Sequence, residues 1–499
     1  MEEDEIRVLR NHPSVIFRNI LTFLIIIVFV MMTSVIPTLE GMSKGGEEVN
    51  IDLNLVFLRG ILPFIAIIGV ILFISYRRWK LTTFTFGPTE ITVERNTYFR
   101  NEKHIQYSKL ASVNVRRGII CQITGTTDLL FNVNSSVNSM SAEATLTLKA
   151  AEADALREAI SSMIFRQEFE VVKDRKESLV SVSNIEIVLH GLFGQPSISS
   201  IVGIGFGVYT VASTVLGGFG SIFSFIMFVF TTLFPWVKTI FRYANYSIYR
   251  DGDTITVESG LITTYRSSFS IKKINSVTIR QPLLARIIGK SLLEAEVVGL
   301  ANNDGKPLLC PLKSTKIVDR LANELIPEFL QVSEKSSQPR EAFLPTMLNR
   351  MIFSAITIIA GPLVWFLARP NAADDIDRWI LTGFAAVLCI GIPVTLILHG
   401  LMAHRKREFG MGQDVLMFTI GAFDLETDMI LYDKIQISTV SSGFIQRRFG
   451  MAQCITSVMS AAGKKTITSG VFSKEVLAKV SERVMERIRN GEYDYRRYL

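Results

Sequence analysis

Five basic residues recur at fixed spacing and are the side chains in this chain best placed for chemistry. Lys109, Lys273 and Lys434 fill one column of an ungapped 35-residue frame that occurs three times, and Arg286 and Arg447 fill another column in two of the copies. An ammonium or a guanidinium held at a repeated position can take a phosphate or a carboxylate, so anionic lipid headgroups or an acidic partner surface are the ligands these residues suit. The plainer reading, preferred for any single lysine, is a solvated strand-edge or barrel-rim residue that discourages edge pairing and holds no ligand. Copy one departs from the arginine column: it reads Gln122-Ile-Thr-Gly125 where the others read Arg286-Ile-Ile-Gly289 and Arg447-Arg-Phe-Gly450. From the sequence, copy one therefore does without whatever the arginine does.

Other chemistry finds little support. His12, His104, His190, His399 and His404 are scattered between copies, so no hydrolase triad or metal set is expected. Cys121, Cys310, Cys389 and Cys454 form no CxxC and read as reduced, buried small hydrophobes. Gly203-Ile-Gly-Phe-Gly207 lies in an apolar run with no strand before it; small residues at that spacing suit close helix packing better than phosphate binding. The apolar runs hold almost no ionisable groups, which argues against a transport path, and Pro362 and Pro393 are expected to break two helices of the last pair. No catalytic, cofactor-binding or metal-ligating residues are assigned, and the chain is not expected to be an enzyme.

The elements that position these residues follow from hydropathy. Apolar residues make up 48% of the 499 and the mean hydropathy is +0.32, which points to membrane spans. The net charge of +7 is modest and forms no basic, aromatic-interleaved face, so nucleic acid is not an expected partner. Asn19–Leu39, residues 60–76, two helices within 191–237 turning at 216–220, residues 351–368 and residues 379–403 give six spans in three hairpins. The acidic start and the absence of a small-residue cleavage site make the first run a retained anchor. Glu40, Glu47, Glu48 and Asp52 lie in the first hairpin loop and Asp374, Asp375 and Asp377 in the third. Arg77, Arg78 and Lys80, then Lys238 and Arg242, then Arg405, Lys406 and Arg407 follow the hairpins. Lysine and arginine stay on the cytoplasmic side, so both termini and the large domains are expected there.

After each hairpin the apolar period changes to two. Thr254–Glu258, Glu90–Glu94 and Val415–Thr419 read as strands, followed by Gly260, Asn96 and Gly421 at a turn that wants positive φ. Gly125, Gly289 and Gly450 close the frame. Each copy ends in an amphipathic helix, with Ser314 and Ser473 as N-caps in the second and third. Short antiparallel strands closed by one helix are the pattern of a pleckstrin-homology-like barrel. The expected domains are a hairpin at 1–76 with a PH-like domain at 77–166, a linker and hairpin at 167–237 with a domain at 238–331, and a linker and hairpin at 332–403 with a domain at 404–499.

The proline-Ser/Thr opening of each hairpin (Pro13-Ser14, Pro196-Ser197, Pro345-Thr346), the Ile-Thr-Val-Glu strand with its turn, the Lys-Leu/Ile step and the Arg-x-x-Gly segment carry a resemblance. The chain resembles the bacterial pleckstrin-homology-domain membrane proteins of the YdbS/YdbT type, in their three-copy YdbT-like form, over nearly its whole length. The resemblance implies a scaffold in the bacterial cell membrane, partnered by a smaller one-domain protein of the same family, with a role in envelope stress or antimicrobial-peptide resistance. Anionic-lipid sensing is the alternative, and a transporter or export component a further one.

Overall fold

The computed structural model describes residues 7–17, 62–97, 100–133, 143–165, 178–180, 182–215, 221–297, 307–371, 375–460 and 463–491. The expected span Asn19–Leu39, the acidic loop after it, the 216–220 turn and Asp374 lie outside the described residues. The chain divides into two compact units. The first takes the described residues of 1–134, 141–175 and 262–268, and the second takes most of the remainder.

In the first unit, β1 (Arg7–Leu9), β2 (Thr82–Phe86), β3 (Glu90–Asn96) and β4 (Arg100–Gln106) form an antiparallel sheet in that order. Strict alternation makes β2 a half-buried strand: Thr-Thr-Phe-Thr-Phe buries every second side chain. A second sheet holds β5 (Leu110–Arg117), β6 (Thr126–Val133) and β7 (Ala144–Lys149). The helix Ala150–Phe165 follows it. Phe84, Phe86, Ile91, Leu129, Phe131, Leu146, Leu156 and Ile160 share one core, each buried side chain contributing about 1.5–3 kcal/mol relative to water.

The second unit contains β8 (Ser247–Asp251) and β9 (Thr254–Ser259), joined by a tight turn at Gly252 with φ +54°. β10 (Thr264–Ser270) begins in residues of the first unit. Next come β11 (Ile274–Gln281), β12 (Lys290–Val297), β13 (Leu308–Ser314) and β14 (Val332–Ser337). β15 (Glu408–Gly412), β16 (Val415–Gly421), β17 (Leu425–Leu431), β18 (Ile435–Ser441), β19 (Met451–Ser460), β20 (Gly463–Thr468) and β21 (Phe472–Ser473) complete the strands.

Seven of these make one sheet in the order β13-β12-β11-β17-β16-β15-β14. Half of the second expected domain and half of the third are thus hydrogen-bonded together, with Ser276 opposite Ile430 and Gln281 opposite Leu425. Their core is shared too: Val277, Leu293 and Ala295 pack with Val415, Met417 and Met429. β18, β19 and β20 form the remaining sheet, with β21 on β19.

Three expectations change at this level. Residues 332–337, read as linker, are β14 on the edge of the third domain's sheet, as β1 is on β2. Asn96 does not take positive φ. It stays in β3 opposite Arg100 and its N–H reaches the Leu81 carbonyl, whereas Gly260 and Gly421 do turn at φ +116° and +97°. Ser314 and Ser473 occupy N-cap positions without accepting a side-chain hydrogen bond.

Among the described residues three helices, Ser224–Tyr243, Arg340–Ala368 and Leu381–Lys406, are long and apolar enough to cross a membrane. The bent pair Asn184–Phe193 and Ser197–Ala212, at 84°, would make a fourth. Pro362 and Pro393 do not break their helices. Pro362 lies inside the continuous Phe343–Ala368 helix, and Pro393 follows a π-helical turn, Val387–Gly391, that absorbs the missing donor. Pro235 follows an equivalent turn, Val229–Leu233. Gly203 faces Thr232 and Gly207 faces Phe228 so closely that a Cβ on either would overlap or crowd its neighbour, the packing role their spacing suggested. Cys121, Cys310 and Cys454 are buried free thiols, and Cys389 is only half-buried.

Candidate interaction site

The repeated lysine ends a single 3-10 turn that carries the chain from one sheet to the next: Tyr107–Lys109, Ile271–Lys273 and Tyr432–Lys434. A cation suits the carbonyl end of such a turn. The three environments differ. Lys109 is exposed. Lys273 is half-buried, and loss of hydration holds its ammonium down at about 8. Lys434 is nearly covered, and its Nζ donates to the Lys272 carbonyl at 3.0 Å. Within the second unit Lys434 thus lies against the residue before Lys273, while Lys109 belongs to the first unit.

The arginine column sits on a one-turn helix that sequence periodicity could not show because it is five residues long. Ile119–Ile123, Leu283–Ile287 and Phe444–Arg448 occur at equivalent places, and each is followed by a glycine at φ +64°, +67° or +65°. A Cβ on any of the three would meet nothing within 4 Å, so it is the left-handed backbone and not space that asks for glycine. Each glycine carbonyl then accepts the first N–H of the domain's last helix: Ala150 to Gly125 at 3.1 Å, Thr315 to Gly289 at 3.2 Å and Lys474 to Gly450 at 3.0 Å. Those backbone bonds stand where serine caps were expected.

The fourth residue of the first two short helices reaches for a backbone carbonyl. Within the first unit, Gln122 Nε2 donates to the Ile262 carbonyl at 2.7 Å, beside the pairing of Thr264–Arg266 with Arg117–Val115. Within the second, Arg286 Nη1 donates to the Ala422 carbonyl at 3.0 Å, beside the pairing of β11 with β17. Copy one therefore does make the contact, with an amide in place of a guanidinium. Arg447 is exposed, and its guanidinium has no hydrogen bond or ion pair among the described residues.

Two polar clusters lock the second unit. Asp424, in the turn before β17, accepts from Ser197 N at 2.9 Å, from the Ser197 hydroxyl and from Leu283 N at 2.9 Å. One carboxylate thus caps the Ser197–Val215 helix and the Leu283–Ile287 helix together. Beneath the joined sheet, Lys465 Nζ meets Asp428 at 2.6 Å and Thr278 Oγ1 at 3.0 Å, with Glu296 at 3.8 Å. Asp428 and Glu296 are 1% and 2% exposed, so these charges are paired in a largely dry place. Sequence reading missed Asp424 and Lys465 because their partners lie over a hundred residues away or on strands whose pairing crosses copies.

A groove of about 540 Å³ lined by Ser333, Glu334, Met411, Lys479 and Glu482 is open to solvent. No group of three or more metal-ligating side chains occurs among the described residues.

Repeated strand-and-helix domains strung between apolar helices define a membrane protein of PH-like domains, and comparison with known families agrees. The family described as bacterial PH domain matches residues 21–164, 206–327 and 355–488, and the chain belongs to it. It is similar to the UPF0699 transmembrane protein YdbT of Bacillus subtilis (strain 168), with 20% identity over 429 residues that span 79% of this chain and 83% of that protein. No solved structure matches.

Proposed function

We propose that the protein is a scaffold of the bacterial cell membrane, held by six helices in three hairpins, with both termini and three PH-like domains on the cytoplasmic side. Each domain is closed by its C-terminal helix, and a smaller one-domain relative is the partner. The envelope-defence role implied by the resemblance belongs with this reading. What carries it is the β11–β17 pairing: these domains associate by adding one domain's strand to another's sheet, a mode built for assembly. The basic residues at the ends of Leu62–Lys80 and Ile392–Lys406 favour the stated orientation. Purification in mild detergent should recover one membrane protein in fixed stoichiometry; a monodisperse chain without a partner would count against the scaffold.

Exposed Lys109 and Arg447 favour a second reading, attraction to anionic lipid. Flotation of the full chain with vesicles of phosphatidylglycerol should then weaken with salt and with Lys109→Glu. Binding indifferent to both would remove this reading.

A further inference from the structure

The strand-to-sheet joint is made once in each unit of this chain, and its donor half is present a third time with nothing added to it. The half-joint is the leading strand of a domain's second sheet plus the short helix after it. In the first unit β5 receives Thr264–Arg266 while Gln122 holds the Ile262 carbonyl. In the second, β11 receives β17 while Arg286 holds the Ala422 carbonyl. The third such strand is β18, and it ends its sheet with no ladder partner beyond β19 among the described residues.

Burial follows that difference. Ser112 and Ser276, at equivalent positions of β5 and β11, are 2% and 0% exposed, whereas Ile437 in β18 is 50% exposed. Asn114 and Thr278 are 1% and 2% exposed, and the equivalent Thr439 is exposed. Phe444, which begins the third short helix, is 84% exposed, and the Arg447 guanidinium has no hydrogen bond or ion pair among the described residues. β18 reads Ile-Gln-Ile-Ser-Thr-Val-Ser, with no charge or proline, and its register shift between Ile435 and Ile437 recurs in β5 and β11, which are joined all the same. Proteins ordinarily blunt a bare edge with charge, and this one is left unguarded.

A free edge in the first unit is guarded. β4, the third strand of the first domain, is also at a sheet edge, but it reads Arg-Asn-Glu-Lys-His-Ile-Gln. Lys103 is paired to Glu143 at 2.7 Å and His104 to Glu90 at 3.0 Å. In β10 the equivalent positions are Ser267 and Ser268, and in β17 Asp428 and Met429, all buried. Asp428 is buried in its joint because Thr278 and Lys465 pair it, whereas β18 has no carboxylate to do the same for Lys103 and His104, so a second copy of this chain is a poor occupant.

We propose that β18, with Phe444 and Arg447, is a docking edge for the third strand of a PH-like domain belonging to a different chain. That strand carries small or apolar residues where β4 carries Lys103 and His104. It runs antiparallel to β18, and the carbonyl of the turn before it accepts from Arg447. This rests on the scaffold reading and names the surface through which it acts.

The test places the photo-reactive amino acid p-benzoylphenylalanine at Ile437 of the full chain in its own membrane and identifies the cross-linked peptide by mass spectrometry. The expected product joins Ile437 to the third strand of another chain's PH-like domain, and its yield falls at least tenfold with Arg447→Glu or Thr439→Lys. A product with residues 100–106 of a second copy, with lipid, with another part of any protein, or no product at all would overturn the proposal. Co-purification with and without Ile437→Lys separates the two claims. A partner retained equally by both leaves the scaffold standing and removes this edge, while no partner with either removes the scaffold itself. Melting of each variant at the wild-type temperature shows that the fold is kept.

Discussion

Gly289 shows how backbone conformation, and not contact, can fix a residue. An added Cβ would enter open space, yet φ +67° still disfavours it. Gly289→Ala should cost about 1 kcal/mol and Gly289→Asn less, read from urea midpoints of the purified protein. Gly421 is stricter, because a Cβ there would also overlap the Asp424 carbonyl. Lys273 titrates near 8 in the folded protein, below its ordinary 10.5, because burial disfavours the charge. Between those values the unfolded chain holds a proton that the folded chain has released, so stability rises with pH across the window and the full cost remains below it. Lys273→Met should therefore stabilise at pH 7, by something on the order of 1 kcal/mol given its partial exposure, and the gain should fade between pH 8 and 10.5. Lys465 acts in the other direction. Lys465→Met leaves Asp428 and Glu296 buried beside each other and should lose about 3–5 kcal/mol, measured by chemical unfolding.

At the scale of elements, strands and turns were legible where the signal is local. Alternation in Glu90–Glu94 and the glycines at 260, 421, 125, 289 and 450 needed no tertiary information. The five-residue helices were not legible, since five residues show no helical period. The π turns before Pro235 and Pro393 escaped notice because their effect is to let an apolar helix continue past a proline. Asp424 was illegible because a carboxylate in a turn looks the same whether it faces water or caps two helices. Asp424→Ala should expose Ser197–Val215 and Leu283–Ile287 to the loss of one cap each, about 1 kcal/mol apiece, seen as faster amide exchange in both first turns. Gly203→Ile should disrupt the packing of the Ser197–Val215 helix on the Val229–Leu233 turn, since its side chain would have to displace Thr232.

For the whole molecule, the repeat was readable but its joining was not. A frame shared by three copies suggests three independent barrels, whereas β11 and β17 place half of the second domain and half of the third in one sheet, one face of which is a shared core while Leu416, Phe418 and Ile430 pack in a core of the third domain's own. Pairings that cross copies leave no local trace, because both strands are also good edge strands. The second unit should therefore lose its structure as one cooperative block. In hydrogen exchange, amides of β11, β12 and β17 should open together, while the outer amides of β18 exchange fastest among β5, β11 and β18. Separate opening of the 238–331 and 404–499 regions would contradict the shared sheet.

The contact from the short helix to a turn has a consequence for how such a protein changes over time. Gln122 and Arg286 both bind a main-chain oxygen, of Ile262 in one case and Ala422 in the other. A main-chain acceptor is present whatever side chain the residue carries, so the accepting turn is free to drift in sequence without loosening the bond. The donor need only keep an N–H at a similar reach, a condition that glutamine and arginine both meet. Selection then bears on one side of the contact alone, and an array of this kind can keep its geometry while its copies diverge almost beyond recognition.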